Sequence, residues 1–240
     1  MRYRNIRISL LYHLFATVVG RLSSVCGSPS STLPLSAPSS TSTRGCDGWL
    51  GDIVVATTAQ GIISVEFEEI QGDLIFINAP HVSGFNASKL KKLGGDLHIA
   101  HCSNFTEFLF PELASVGNII WNNLTSTRRY TLDFTAGITS ANSVRVEDTT
   151  MGLGGFNLQV AQQLIIQNNP RLGDLRLPLN TIYTELRING SGFGLLDLSL
   201  LTTTGDTILT NWQILNLDKL LYVSGTMQLL NKATGNGGWS

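Results

Sequence analysis

Charged residues are scarce in this sequence. Asp, Glu, Lys and Arg make up 14% of its 240 residues, and the formal net charge is −1. A surface that binds nucleic acid needs clustered Lys and Arg, so this composition argues against a nucleic-acid partner. Hydrophobic residues make up 42%, which is enough for one sizeable folded core.

A long hydrophobic run is also missing. The apolar stretch at residues 8–19 is about a dozen residues, short for a membrane span of about 20. Arg2, Arg4 and Arg7 precede it and small residues follow. This arrangement predicts a secretory signal peptide at residues 1–24, with an uncleaved signal anchor as the alternative.

Catalytic motifs are absent from the sequence as well. It contains neither G-x-S-x-G nor a glycine-rich phosphate loop. His98 and His101 are three apart on an expected strand, so they point to opposite faces and make a poor metal pair. We therefore expect no catalytic residues, no metal site and no cofactor.

Turn-forming residues are abundant, and they suit short strands better than long helices. Glycine alone occurs 24 times. Residues 25–45 are rich in Ser, Thr and Pro and have few core-forming side chains, so we expect a disordered segment there, open to O-glycosylation. Residues 234–240 are expected to form a disordered tail.

A repeat with a mean spacing of about 22 residues begins after residue 51. Each repeat carries an apolar-x-apolar pair, and 17 of the 18 paired positions are apolar, against 42% for the whole chain. The pairs are Ile53 and Val55, Leu74 and Phe76, Leu97 and Ile99, Ile119 and Trp121, Val144 and Val146, Leu164 and Ile166, Leu186 and Ile188, Ile208 and Thr210, and Met227 and Leu229.

This period-two alternation places both members of a pair on one face of a strand. Stacked strands then form a continuous inner wall, with each repeat contacting its neighbours. We predict an all-β solenoid over residues 46–233. It would be a right-handed β-helix or leucine-rich-repeat-like coil of about nine turns.

The residue between the two members of each pair points outward. These nine positions are Val54, Ile75, His98, Ile120, Arg145, Ile165, Arg187, Leu209 and Gln228. The mixed face is either a binding surface or a consequence of the β-branched residues that strands favour. If it binds a ligand, the candidate residues are His98, Arg145, Arg187 and Gln228.

Asn or Asp often follows the pair by two positions, where it predicts a structural row of hydrogen-bonding side chains at a corner. The nine positions are Thr57, Asn78, His101, Asn123, Asp148, Asn168, Gly190, Trp212 and Asn231.

Four phrases carry a family resemblance: GDLIFINAP, LKKLGGDLHIAHC, FPELASVGNIIWNNL and LIIQNNPRL. They resemble receptor L-domain repeats. More closely, they resemble the fungal glycosylphosphatidylinositol-anchored cell-wall organisation proteins of the sporulation-specific-protein-like group. The resemblance covers roughly residues 46–233. It implies a β-helix-like solenoid, N-glycosylation, a cell-surface or cell-wall location and a role in wall integrity, with no catalytic residues.

The resemblance also bears on the cysteines, which number three, an odd count for a secreted protein. Members of that group carry a Cys pair at the N-terminal end of the coil, and Cys26 and Cys46 resemble it. This disulfide requires signal cleavage before Cys26. Cys102 is expected to be an inert buried thiol or, if Cys26 is removed, a partner for Cys46.

Four N-glycosylation sequons occur, at Asn86, Asn104, Asn123 and Asn189. Asn189 follows an inward residue and is expected to point outward, whereas Asn86 and Asn104 are expected in connecting segments. Asn123 lies at the corner, where burial would oppose glycan attachment. We therefore expect Asn123 to be the least occupied.

These observations favour a secreted, non-enzymatic glycoprotein that presents a sheet face to cell-wall glycans or cell-surface proteins. The sequence lacks the hydrophobic tail that is exchanged for a lipid anchor, so a membrane would be reached only through an anchor not encoded here. Two alternatives remain: a polysaccharide-active β-helix enzyme, for which Glu66 and Glu68 are the candidate carboxylates, and a truncated family member without function.

Overall fold

The computed structural model describes residues 24–36, 40–41, 45–126, 129–170 and 172–230. The predicted signal peptide, apart from its last residue, and the predicted tail lie outside the described residues. The described residues form strands and turns without a helix, so none of them form an apolar helix of membrane-spanning length.

The structure contains 21 strands in its described part. In chain order they are β1 (Val25–Cys26), β2 (Thr32–Leu35), β3 (Ser40–Thr41), β4 (Gly48–Trp49), β5 (Asp52–Val55), β6 (Gly61–Val65), β7 (Glu69–Ile70), β8 (Leu74–Ile77), β9 (Val82–Asn86), β10 (Lys92–Ala100), β11 (Glu107–Leu109), β12 (Ser115–Asn122), β13 (Thr131–Asp133), β14 (Ser140–Glu147), β15 (Val160–Gln167), β16 (Leu175–Arg176), β17 (Thr181–Asp197), β18 (Thr203–Thr204), β19 (Asp206–Asn216), β20 (Tyr222–Val223) and β21 (Met227–Leu230).

The strands stack in parallel from one turn of the chain to the next and form two sheets. The 16-stranded sheet covers two sides of the coil, because strands such as β10 and β15 continue around a bend where their pairing register shifts. The five-stranded sheet, in the order β13-β11-β9-β6-β3, covers a third side. The predicted all-β solenoid of about nine turns, spaced by about 22 residues, is thereby confirmed.

The inward pairs form the core. Ile53, Leu74, Leu97, Ile119 and Val144 are each fully buried, one above another. Aromatic rings fill the middle of the coil, and the contacting residues are Phe76, Phe85, Phe105, Phe108, Phe110, Trp121, Phe134 and Phe156. Edge-on and tilted aromatic pairs of this kind each add about 1 kcal/mol beyond the area they bury.

The expected inward pair Ile208 and Thr210 is wrong by one residue. Thr207 and Leu209 are the buried residues of β19, and Thr207 pairs with inward Leu186. Thr207 can be buried because its hydroxyl bonds to the Thr204 hydroxyl at 2.9 Å and to the Gly205 carbonyl at 3.3 Å. Hydrophobicity alone therefore indicated the wrong register in this strand.

Within residues 25–45, the described residues 25–36, 40, 41 and 45 differ from the disordered segment that composition predicts. They include β1, β2 and β3, which pair with β4, β5 and β6 and add a short coil before the first predicted repeat. Leu33 and Leu35 repeat the apolar-x-apolar pattern and pair with Ile53 and Val55. The neighbouring coil supplies the hydrogen bonds and apolar contacts that this segment could not make alone.

Candidate ligand-binding face

The outward residues that lie between the two inward residues of each repeat form one register row across the large sheet, which we call the central row. It consists of Val54, Ile75, His98, Ile120, Arg145, Ile165, Arg187, Ile208 and Gln228. All four predicted ligand-face residues belong to it. They alternate with apolar residues, so neighbouring members of the four are two strands apart, roughly 10 Å at ordinary strand spacing.

Arg187 is held by a polar network on one side of the central row. Its Nε and Nη2 donate to Glu185 Oε1 at 2.9 and 2.6 Å. Gln163 Nε2 donates to the other Glu185 oxygen at 2.7 Å, and Ser143 Oγ donates to Gln163 Oε1 at 2.9 Å. The network therefore runs across three neighbouring strands, β14, β15 and β17.

Arg145 is held on the opposite side of the central row. Its Nη1 lies 3.6 Å from Glu147 Oε1, and Gln167 Nε2 donates to that same oxygen at 3.0 Å. Between the two networks lies Ile165, which is only 5% exposed although it points outward. We call this set the polar patch: Ser143, Arg145, Glu147, Gln163, Ile165, Gln167, Glu185 and Arg187.

The polar patch balances its charges, with two guanidinium groups matched by two carboxylates. The arginine side chains remain 44% and 42% exposed, so both are accessible to a ligand. Exposed ion pairs add only about 0–1 kcal/mol to stability, which means that folding depends little on them. The patch offers fixed donors and acceptors without a net charge, which suits a neutral hydroxyl-bearing ligand better than a polyanion.

His98 and Gln228 are in the central row but outside the polar patch. His98 lies two strands from Arg145, and Gln228 lies in β21, two strands from Arg187. The sequence interpretation missed the glutamates and glutamines that orient the arginines. Glu147 and Glu185 could have been found, because each is two residues from an arginine and so shares its face.

The Gly-Asp pairs that open many repeats have a structural explanation. Asp52 accepts the backbone N–H of Asp73 at 2.9 Å, and Asp73 accepts that of Asp96 at 2.8 Å. Asp96 in turn accepts from the Asn118 amide at 2.6 Å. These carboxylates connect successive coils and need no ligand to account for them.

The corner residues are structural, and what most of them share is a left-handed backbone conformation. Five of the nine expected residues, together with Asn211, have φ between 50° and 59°: Asn78, His101, Asn123, Asp148, Asn168 and Asn211. Asn and Asp tolerate this conformation best among residues with a side chain. The register shift in β19 places Asn211 at the corner, where Trp212 was expected.

A fully buried side-chain amide belongs to Asn169, the residue that follows the corner residue Asn168. Its Oδ1 accepts from both the backbone N and the hydroxyl of Thr149 at 2.8 Å, and its Nδ2 donates to the Val146 carbonyl at 2.8 Å. Asn169 therefore satisfies three buried polar groups of the preceding coil.

The four sequons lie in different surroundings. Asn189 is exposed in β17, and Asn104 is exposed in a turn, where its Nδ2 donates to the Pro80 carbonyl at 2.6 Å. Asn86 is half-buried and is the last residue of β9, not part of a connecting segment. Asn123 is half-buried, with its Nδ2 2.8 Å from His101 Nδ1. Their glycan occupancy stays a prediction.

The cysteines lie at two distinct places. Cys26 and Cys46 form a disulfide with Cα atoms 5.8 Å apart, at the N-terminal end of the coil. Cys102 is a free, fully buried thiol whose Sγ donates to the Ala100 carbonyl at 3.2 Å. Burial raises the pKa of the Cys102 thiol, which keeps it protonated and unreactive.

The glutamates considered for catalysis form ion pairs on the solvent side of the coil. Glu66 contacts Lys89 at 2.6 Å, and Glu68 contacts Lys91 at 3.0 Å. Hydrogen bonds from these lysines to the glutamates, together with the negative charges, raise the pKa of each lysine. Within the described ranges, no group of three or more His, Cys, Asp or Glu side chains is arranged to hold a metal ion.

Fold and patch together define a parallel β-solenoid with a charge-balanced polar outer face. The chain is similar to fungal cell-wall proteins. It is 26% identical over 159 residues to Protein ecm33 of Aspergillus fumigatus, covering 65% of this chain and 39% of that protein. It is 25% identical over 149 residues to Cell wall mannoprotein PST1 of Saccharomyces cerevisiae, covering 61% of this chain and 33% of that protein.

A third relative is Sporulation-specific protein 2 of Saccharomyces cerevisiae, 25% identical over 165 residues, which are 68% of this chain and 32% of that protein. The matches thus span about a third of the length of these curated relatives. No protein-family model matches the chain. No solved structure matches it.

Proposed function

We propose that this protein is a non-enzymatic glycoprotein of the fungal cell surface or cell wall, and that it contributes to wall organisation by binding wall polysaccharide. The observation that carries the proposal is the polar patch on the outer face of the large sheet. The name of one relative, Cell wall mannoprotein PST1, supports the location. Cell-surface proteins are the alternative partner.

The chemistry of the polar patch favours a polysaccharide. Guanidinium, carboxylate and amide groups provide the donors and acceptors that pairs of sugar hydroxyls require. Their mutual hydrogen bonds hold them in place before a ligand arrives, which lowers the entropy lost on binding. Half-buried Ile120 neighbours Arg145 in the central row and offers apolar contact to the C–H face of a sugar ring.

The test is co-sedimentation of the native secreted glycoprotein with insoluble β-glucan, chitin or mannan particles. Arg145→Ala combined with Arg187→Ala is expected to weaken binding by at least about tenfold, because each lost charged hydrogen bond costs about 1.5–3 kcal/mol. Lys89→Ala combined with Lys91→Ala removes two exposed cations at a different corner and is expected to leave binding unchanged. If neither the wild-type protein nor the same protein freed of its N-linked glycans sediments with any of these particles, the proposal is wrong.

The same incubation tests the absence of enzymatic activity. Soluble reducing ends are expected to stay at the level of the buffer control over hours, because the Glu66 and Glu68 carboxylates are paired with lysines on an open corner. A release of reducing ends that Glu66→Gln abolishes would support the polysaccharide-active enzyme instead.

A further inference from the structure

Asn189 lies on the same face as the polar patch. It follows Arg187 by two residues in β17, so their side chains share a face of the sheet. Its strand neighbours are Gln167, which belongs to the polar patch, and Thr210. Any group attached to Asn189 therefore emerges directly beside the arginine and glutamine side chains that we propose as the ligand-binding surface.

The orientation of the Asn189 amide leaves its nitrogen available. The Oδ1 atom accepts from the Thr210 hydroxyl at 2.7 Å and from Asn211 Nδ2 at 3.3 Å, so the following coil holds the oxygen. Among the residues whose side chains the structure describes, a set that leaves out residues 190–193, none accepts a hydrogen bond from Asn189 Nδ2. By contrast, Nδ2 of Asn104 and Nδ2 of Asn123 are both engaged, as described above.

We propose that Asn189 carries an N-linked glycan that covers the polar patch and controls its access to wall polysaccharide. The inference rests on the function proposed above. In the modification, Nδ2 of Asn189 loses a proton and bonds to the anomeric carbon of an oligosaccharide. The lipid diphosphate that delivered the sugar leaves with the electron pair of the broken bond. Asn-Gly-Ser at residues 189–191 is the sequon that this reaction requires.

Because it is covalently attached at Asn189, the glycan competes effectively with external polysaccharide for the polar patch. A chain joined at Asn189 is present at the patch at roughly millimolar effective concentration. It carries hydroxyl groups of the same chemistry as the external ligand. If the patch is open only about a tenth of the time, the apparent affinity for external polysaccharide falls about tenfold. A glycan on the exposed Asn104 is attached to the turn between β10 and β11, so it does not emerge beside the polar patch.

The first experiment compares secreted wild-type protein with Asn189→Gln and Ser191→Ala, which remove the sequon in two different ways. Asn104→Gln is the matched control. Glycopeptide mass spectrometry is expected to find glycan on Asn189, and both sequon variants are expected to sediment with polysaccharide particles about tenfold more tightly than wild type. Unmodified Asn189 in the secreted protein would overturn the inference, as would equal binding by the occupied and unoccupied forms.

A second experiment does not require a polysaccharide. Phenylglyoxal modification of Arg145 and Arg187, read by peptide mass spectrometry, is expected to be several-fold slower in wild type than in Asn189→Gln. The exposed Arg176 serves as the internal control and is expected to react equally in both. Equal arginine reactivity in the two proteins contradicts the covering. Protection of the arginines without sedimentation by any form supports the covering and refutes only the proposed polysaccharide binding.

Discussion

At the scale of single residues, the neighbouring asparagines Asn168 and Asn169 have different structural roles. Asn168 is exposed and takes the left-handed conformation, with φ 55°, that turns the corner. Asn169 is fully buried and satisfies polar groups of the preceding coil. An Asn-Asn pair in the sequence does not distinguish these roles, because the side that faces the core depends on where the strand ends.

Asn169→Ala is expected to lower the free energy of unfolding by about 3 kcal/mol, because the backbone N–H of Thr149 and the carbonyl of Val146 lose their buried partner. The matched control is Asn168→Gly, which keeps the left-handed conformation and is expected to change stability by less than about 1 kcal/mol. Urea unfolding followed by tryptophan fluorescence measures both. Equal effects of the two substitutions would contradict the assignment of the buried role to Asn169.

At the scale of the elements, the strands of successive coils approach closely where each repeat begins. A Cβ atom added at Gly95 would lie 2.7 Å from the backbone of Gly72, and one added at Gly117 would lie 2.6 Å from the Gly95 carbonyl oxygen. The Asp side chains that follow Gly72 and Gly95 bond to the next coil at the same level. In each Gly-Asp pair, the glycine therefore allows the backbones of two successive coils to approach closely, and the aspartate forms a hydrogen bond between those coils.

Gly95→Ala is expected to destabilise the protein by about 1–3 kcal/mol, because the backbone of the adjacent coil must shift to make room for the new methyl group. Gly152→Ala provides the control, since an added Cβ there meets nothing within 4 Å. Thermal unfolding monitored by circular dichroism is the measurement. A Gly95→Ala protein as stable as wild type would show that the coils can separate without cost.

At the scale of the whole molecule, each coil contacts its neighbours along the stack. Within the part of the chain that the structure describes, β1, β2 and β3 of the first coil pair with β4, β5 and β6 and with no other strand. The Cys26–Cys46 disulfide joins β1 to the chain just before β4, across 20 residues of sequence. In a solenoid, stability is approximately a sum over such neighbour contacts, so the first coil depends strongly on this link.

Cys26→Ala combined with Cys46→Ala is expected to remove about 3 kcal/mol of stabilisation from the first coil, as estimated for a closed loop of this size. Limited proteolysis is then expected to cut residues 27–45 quickly, while the chain from β5 onward resists. Wild type under the same conditions is the control. Uniform loss of resistance along the whole chain would instead indicate that the disulfide stabilises the entire solenoid.

The sequence by itself determined the repeat, the parallel solenoid and the outward row that contains Arg145 and Arg187. This was predictable because strand alternation is a local property: an apolar-x-apolar pair shows which side faces inward without knowledge of its neighbours. The same reasoning failed at β19, where an outward Ile208 and an inward Thr207 reverse the usual preference. It also missed β2, whose Leu33 and Leu35 carry the pattern within a segment rich in Ser and Pro.

Only the tertiary structure decided which residues of different coils meet. The hydrogen bonds from Gln163 to Glu185, from Gln167 to Glu147 and from Thr210 to Asn189 join residues 20–22 positions apart in sequence. Repeat lengths vary, so a shift of one residue in register would direct each of these side chains to the other face of its strand. The polar patch and the position of Asn189 beside it therefore follow from strand register, which the stacking of the whole coil determines.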